Sequence, residues 1–198
     1  LAGQAVTLET ANGAEADYPV ASCPCDDRNL QFHVRRLPGN RFADYVFKKL
    51  KNGDIVALAG PKGEFTLNEE SPRSLIFLAH GTGFAPIKSL IEHALSLEAE
   101  NICLHWFGSS QKNIYLPKIA QAWRDALDNF RYEEHIAGFD LRSVSGKREE
   151  TLLRQLDNIS SGDPNLLQGE IYIAGPEDAV NIAERFFLDK GLPKTRVA

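Results

Sequence analysis

Hydrophobic and polar positions divide the chain into two patterns. Up to about residue 68, apolar residues come in short runs rich in β-favouring side chains: AVTLET (5–10), LQFHVRR (30–36) and DIVALAG (54–60). Turn signals at Asn12-Gly13, Pro38-Gly39-Asn40 and Asn52-Gly53-Asp54 separate these runs. A single helix is predicted from Phe42 to Leu50. Short strands with one helix and no strand–helix alternation predict a small barrel or sandwich. The polar segment NEESPRS (68–74) makes a boundary, so residues 1–70 and 71–198 are expected to form two domains.

Beyond the boundary the pattern changes. LIFLA (75–79) is a continuous apolar run, as expected of a strand covered on both faces. Ile87, Leu90, Ile91, Ala94 and Leu95 then follow a 3.6-residue period, with Pro86 suited to the first turn of their helix. ICLHWF (102–107) predicts a second strand, and Ile119, Ala122, Trp123, Ala126 and Leu127 a second helix. FRYEEHI, EETLLRQLDNI and EIYIA continue the alternation. Ala179, Ile182, Ala183, Phe186 and Phe187 give a last helix that stops at Gly191. The expected fold is therefore an all-β barrel followed by an α/β domain with an open parallel sheet. Trp106 and Trp123 fall at periodic positions and are expected in the core.

In such sheets ligands sit beyond the carboxyl ends of the strands. Three turns leave those ends with small residues: HGTGFAP (80–86), GSS (108–110) and GPED (175–178). Glycine permits a sharp turn and close approach to a ligand, and the following helix offers free N–H groups to an anion. Pro86 stands where the third glycine of a G-x-G-x-x-G fingerprint would be, so the pattern predicts a nicotinamide site of a different construction.

Taken with AGQAV (2–6), ADYPVAS (16–22), LQFHVRR, GDIVALAGPKGEF (53–65), FLAHGTGFAPIKSL (78–90) and YIAGPEDAV (172–180), the chain resembles the ferredoxin–NADP reductase superfamily. The likeness is to the reductase components of oxygenases and to NAD(P)H–flavin reductases. The resemblance implies a flavin-binding antiparallel barrel, here without its opening strand, and a nicotinamide-binding α/β domain. It also implies hydride transfer to flavin without a protein nucleophile or metal, then electron transfer to a ferredoxin, an oxygenase component or another acceptor. A non-catalytic nucleotide-binding or regulatory relative of the same fold is the alternative.

The resemblance carries residue by residue onto Tyr18, Pro19, Val20, Ala21 and Ser22 along the flavin. It extends to His33, Val34, Arg35, Arg36, Gly39, Arg41 and Phe42 near the flavin and its phosphates. Gly81, Thr82, Gly83, Pro86, Gly108, Ser109, Ser110, Gly175, Pro176, Glu177 and Asp178 would serve the nicotinamide nucleotide. The chain departs from the family at Ala16, where an arginine meets phosphate, at Pro19, where a serine faces the flavin, and at Ala43, where a serine opens the helix. A lost charge-assisted contact costs about 1.5–3 kcal/mol. The three arginines or the amides of the helix near Phe42 are the expected replacements. FAD is expected over FMN. NADH is expected over NADPH, because Ser110 stands where the family carries an arginine. Ala174 replaces the family's cysteine before Gly175-Pro176.

Composition adds exclusions. With a formal charge of −5 and one small basic cluster, Arg35-Arg36 with Arg41, nucleic acid is not an expected partner. No apolar run reaches the roughly 18 residues of a membrane span. Three cysteines predict a reduced, cytoplasmic setting. Cys23 and Cys25 form a C-x-C rather than a metal-type C-x-x-C, and are expected as loop cysteines without chemistry. His80 is either a cofactor neighbour or a satisfied strand-end histidine, and Glu69-Glu70 and Glu133-Glu134 are expected as solvated surface.

Overall fold

The structure is a computed structural model and describes residues 1–25, 29–137, 145–163 and 165–198. The first part forms a three-stranded antiparallel sheet in the order β2-β1-β3, from β1 (Ala5–Glu9), β2 (Glu15–Pro19) and β3 (Ala57–Lys62), with helix α1 (Arg41–Lys48) beside it. Alternation on β1 buries Val6 and Leu8 against Ala14 and Phe42. The opposite face carries Thr7, whose hydroxyl donates to Asp17 Oδ1 at 2.8 Å, and Lys62 reaches both at 2.7 and 2.5 Å. That exposed trio ties the three strands through opposite charge and hydrogen bonding, a small contribution in solvent.

Two strand expectations are corrected here. Among the described residues LQFHVRR joins no ladder: the Gln31 carbonyl accepts from Ala21 N–H at 2.8 Å and the Gln31 N–H donates to Ser22 Oγ at 3.2 Å. Its side chains nevertheless alternate, with Phe32 and Val34 packed on the Val6–Leu8 cluster. Period-2 patterning reflects one buried face, and a ladder needs a neighbouring backbone as well. DIVALAG becomes strand at Ala57, and β3 is exposed along its whole length.

The second part is a parallel sheet in the order β6-β5-β4-β7. Its strands are β4 (Leu75–His80), β5 (Ile102–Gly108), β6 (Phe130–Ile136) and β7 (Glu170–Ala174). Between them run α2 (Phe84–Ser96), α3 (Pro117–Ala126) and α4 (Ser145–Gly162), and α5 (Glu177–Asp189) follows β7. α2 and α3 cover one face, where Phe77, Phe84, Leu90 and Trp106 are fully buried. α4 and α5 cover the other, around Ile76, Leu156, Ile171 and Phe187. Each such side chain contributes about 1.5–3 kcal/mol by leaving water. Buried Glu170 accepts from Ser71 Oγ at 2.8 Å and from Arg73 at 3.3 Å, and Tyr172 Oη accepts from Asn68 N–H at 2.9 Å. The polar linking segment is thereby pinned to β7. Among the described residues no helix is long and apolar enough to cross a membrane.

Candidate functional site

β4 has β5 on one side and β7 on the other, so the chain leaves β4 and β7 toward opposite sides and opens a crevice at their carboxyl ends. His80 ends β4, Gly81–Gly83 make one 3₁₀ turn, and α2 begins at Phe84. Gly81 adopts φ +56, which favours glycine. Gly83 is required for closeness: a Cβ there would lie 2.0 Å from the Ala174 carbonyl oxygen and 2.6 Å from Gly175 N. A Cβ on Gly175 would lie 2.5 Å from His80 Cβ. The turns after β4 and β7 are packed backbone against backbone. Trp106 supports them from the core: its Nε1–H donates to the Gly81 carbonyl at 3.1 Å, and its ring stacks on Phe84 at 3.8 Å.

The turn after β5 is organised by a residue that sequence reasoning missed. Asn113 Oδ1 accepts from Ser109 Oγ at 2.5 Å, from Ser110 N–H at 3.1 Å and from Ser110 Oγ at 3.2 Å. An Ser-x-x-Asn spacing, close to a capping box, was the available signal. A recess of about 260 Å³ lies beside it, lined by His80, Gly81, Thr82, Gly108, Ser109, Pro176 and Arg148. Arg148 was also missed. It pairs with Asp178, while its buried Nε has no hydrogen-bond partner among the described residues. His80 stacks flat on Phe107 at 6.0 Å, and burial first, then the Arg148 charge, lower its pKa to about 4.

Across the crevice stands the antiparallel sheet. A cleft of about 630 Å³ runs between the two sheets, with Tyr18, Pro19, His33, Arg35 and Asn40 on one wall and Thr82, Gly83, Pro86, Gly175 and Pro176 on the other. Tyr18 leans on buried Phe42 at 5.2 Å, and burial raises its phenol pKa. His33 Nδ1 meets Tyr115 Oη at 2.5 Å, and burial, then the Lys88 charge, lower its pKa to about 4. Val34 and Gly81 share an adjoining recess of about 410 Å³ with Lys112 and Tyr115.

The remaining expected residues lie elsewhere. Val20 packs on the Val6–Leu8 cluster. Ala21 and Ser22 are buried, and their carbonyls accept from Lys88 Nζ at 3.2 Å and Ser89 Oγ at 2.8 Å, so they dock α2 instead of lining the cleft. Arg36, Gly39, Arg41 and Glu177 are exposed and do not line it. The amide of Ala43, expected among the phosphate-holding N–H groups, is taken by Asn40 Oδ1 at 2.8 Å. Cys23 and Cys25, expected as loop cysteines without chemistry, are joined in a disulfide. Pro24 turns the backbone and brings their Cα atoms to 5.1 Å, within disulfide reach.

Comparison with known proteins matches residues 77–185 to the model of the oxidoreductase NAD-binding domain. The chain is similar to reductase component 1 of terephthalate 1,2-dioxygenase from a Comamonas species, with 32% identity over 84% of this chain and 52% of that protein. It is also similar to an NAD(P)H-flavin reductase of Aliivibrio fischeri, with 27% identity over 99% of this chain and 84% of that one. Among solved structures, an Amycolatopsis cytochrome P450 reductase superposes with a TM-score of 0.80 at 24% identity, covering 99% of this chain and 59% of that one. A ferredoxin-NADP+ reductase of Plasmodium falciparum gives a TM-score of 0.80 at 20% identity, covering 100% and 81%. The chain spans about half the length of the first curated relatives it matches, 52% and 57%. The motif order, the paired sheets and these matches together make the chain a member of the oxidoreductase NAD-binding domain family, within the ferredoxin–NADP reductase superfamily.

Proposed function

We propose that this chain is the flavin- and nicotinamide-binding part of an NADH-dependent reductase that passes electrons to an iron–sulfur or other acceptor, such as a ferredoxin or an oxygenase component. The observation that carries the reading is the single cleft between the two sheets. It offers an aromatic wall at Tyr18 and close-packed glycines at Gly83 and Gly175, and the recess beside the β5 turn adds the Arg148 guanidinium, whose Nε has no hydrogen-bond partner among the described residues. Flat rings suit the first two features, and a pyrophosphate suits the third.

When bound, the nicotinamide supplies a hydride and the flavin accepts it. The protein's task is alignment, and the close packing of the β4 and β7 turns supports it by fixing the cleft floor. Tyr18 and Pro19 would face the flavin, with Arg35 as the cation nearest its phosphates. The amides of α1 contribute less than expected, because Asn40 already caps Ala43. Thr82, Gly83, Ala174 and Gly175 would border the nicotinamide, and Arg148 its pyrophosphate. Ser109, Ser110 and Asn113 give the β5 turn hydroxyl and amide character, while Arg148 is paired with Asp178. That favours a ribose hydroxyl over a 2′-phosphate, hence NADH. FAD is favoured over FMN because the cleft continues past the ring wall into the adjoining recesses. We place the boundary between the two units in the 68–74 segment, at residue 70.

The test is the visible spectrum of the purified full-length protein before and after anaerobic NADH, with acid release and chromatography to identify the flavin. Flavin bands that bleach with NADH faster than with NADPH are expected, with FAD released. A protein that binds no added FAD or FMN overturns the reading.

A further inference from the structure

Away from the cleft, the β5–β6 ladder brings three ligand-type side chains to one point. His105 and Glu133 are paired across the two strands, and Phe107 is paired with His135, so all three ligand-type residues project on the α4–α5 side of the sheet. His105 Nδ1 lies 3.1 Å from His135 Nε2 and 3.6 Å from Glu133 Oε2, and the last two atoms are 3.8 Å apart. Glu133, expected from the sequence as plain solvated surface, is half of what makes this arrangement unusual. The other half is His105, which is only 3% exposed.

We propose that His105, His135 and Glu133 form a binding site for a divalent transition cation of the zinc type, separate from the cofactor cleft. Three lines of geometry carry this. A triangle with those sides has its centre about 2.0 Å from every corner, the bond length of zinc to imidazole nitrogen and carboxylate oxygen. The atom types, two imidazole nitrogens and one carboxylate oxygen, select zinc, cobalt or nickel over calcium or magnesium. The third is the far side of His105: its Nε2 lies 3.3 Å from Cys103 Sγ. A proton on Nε2 directed at that sulfur leaves the Nδ1 lone pair facing the cluster, the outer-sphere arrangement that fixes a ligating histidine.

The surroundings leave room for an ion. Arg131, the cation on β6, is drawn to Asp163 at 2.6 Å, so the contacts of Glu133 Oε2 in the cluster are with the two imidazoles. The Glu133 side chain is 60% exposed and that of His135 17%, so the point is open to solvent on one side and closed by His105 on the other. A cation can enter, hold three protein ligands and keep a water as its fourth. It would clamp β6, at the sheet edge, onto β5. His135 stacks on Phe107 at 4.8 Å, and Phe107 on His80 at 6.0 Å, so the clamp stiffens the base of the β5 turn without touching the cleft.

The experiment is titration of the purified full-length protein, stripped with chelator, with Co²⁺ followed by its visible d–d bands, and with Zn²⁺ in competition. One Co²⁺ per chain with nitrogen-type bands, displaced by Zn²⁺, is expected. Glu133→Gln and His135→Gln should each weaken binding by about a hundredfold, since loss of an outer partner alone costs 10–100-fold. His93→Gln, at the separate His93–Glu69 pair, should leave it unchanged. The proposal is overturned if no stoichiometric Co²⁺ is taken up, or if the Glu133→Gln, His135→Gln double variant binds as the parent does. Should the double variant fail to fold, exposed Glu133→Gln alone decides by the same comparison.

Discussion

Gly83→Ala tests whether alignment at the cleft depends on the contact between the two glycine turns. The backbone of Gly83 has ordinary helical dihedrals, so the substitution brings no conformational strain of its own. What it brings is a methyl carbon 2.0 Å from the Ala174 carbonyl oxygen and 2.3 Å from its carbonyl carbon. Both neighbours are backbone atoms and cannot swing aside as a flexible side chain would. Relief requires the turns to part by about 1 Å, and a displacement of that size at a reacting centre costs on the order of a hundredfold in rate. Overpacking of this kind also costs about 1–3 kcal/mol in stability. The assay is NADH oxidation by the full-length protein with an artificial acceptor, alongside flavin content and thermal unfolding. We expect kcat/KM for NADH to fall about a hundredfold with flavin content retained. Gly162→Ala serves as control: at the end of α4 an added methyl meets nothing within 4 Å, and it should be neutral or stabilising by up to about 1 kcal/mol. If Gly83→Ala retains activity within about threefold of the parent, the reasoning from packed turns is wrong.

Further outcomes follow from other contacts. His80 is held neutral with its pKa near 4, below the ordinary 6.5; the unfolded chain therefore takes up the proton first, and stability falls as pH drops from about 6.5 to 4. Complete titration of that window costs about 3 kcal/mol, read as a shift in the urea midpoint that His80→Gln should shrink. Lys88 is nearly buried between the Ala21 carbonyl and Glu92 Oε1 at 2.6 Å; Lys88→Ala should cost about 3 kcal/mol by denaturant unfolding, whereas a loss under 1 kcal/mol would mean the 21–23 loop docks without it. Asn40→Ala removes the cap on Ala43 and should lower stability by about 1 kcal/mol in the same measurement. Arg148→Gln should raise KM for NADH about tenfold with kcat little changed, because it removes a charge-assisted contact away from the reacting rings.

The α/β half was legible because each of its signals is local. A continuous apolar run such as 75–79 can be satisfied only in the middle of a covered sheet, and the 3.6-residue spacing of Ile87, Leu90 and Ile91 has no other reading. Glycines at strand ends pointed to the crevice for the same reason. The antiparallel half was less legible. LQFHVRR has the alternation of a strand, yet a ladder is made by the neighbouring backbone, and its own residues do not encode that neighbour. Site residues contributed over long distances were missed: Arg148 stands forty residues beyond Gly108 in the chain and reaches the recess only through the packing of α4. Ala21 and Ser22 were misread because a small-residue run beside an aromatic looks alike whether it faces a ligand or a helix. Only the Lys88 and Ser89 contacts separate the two. Glu133 is exposed as expected, but its proximity to His105 could not be read from the sequence because the two lie on different strands.

The hydrogen bond from Trp106 to Gly81 has an experimental consequence. Of the chain's two tryptophans, one is wired by its indole N–H to the carbonyl of the first glycine in the cleft floor, while Trp123 sits on α3 against Phe130. Indole emission responds to the loss or strengthening of that bond, and its emission overlaps the absorption of reduced nicotinamide. Replacing Trp123 with Phe would leave Trp106 as an optical reporter built into the turn, able to time the arrival of a nucleotide in stopped flow without any added label.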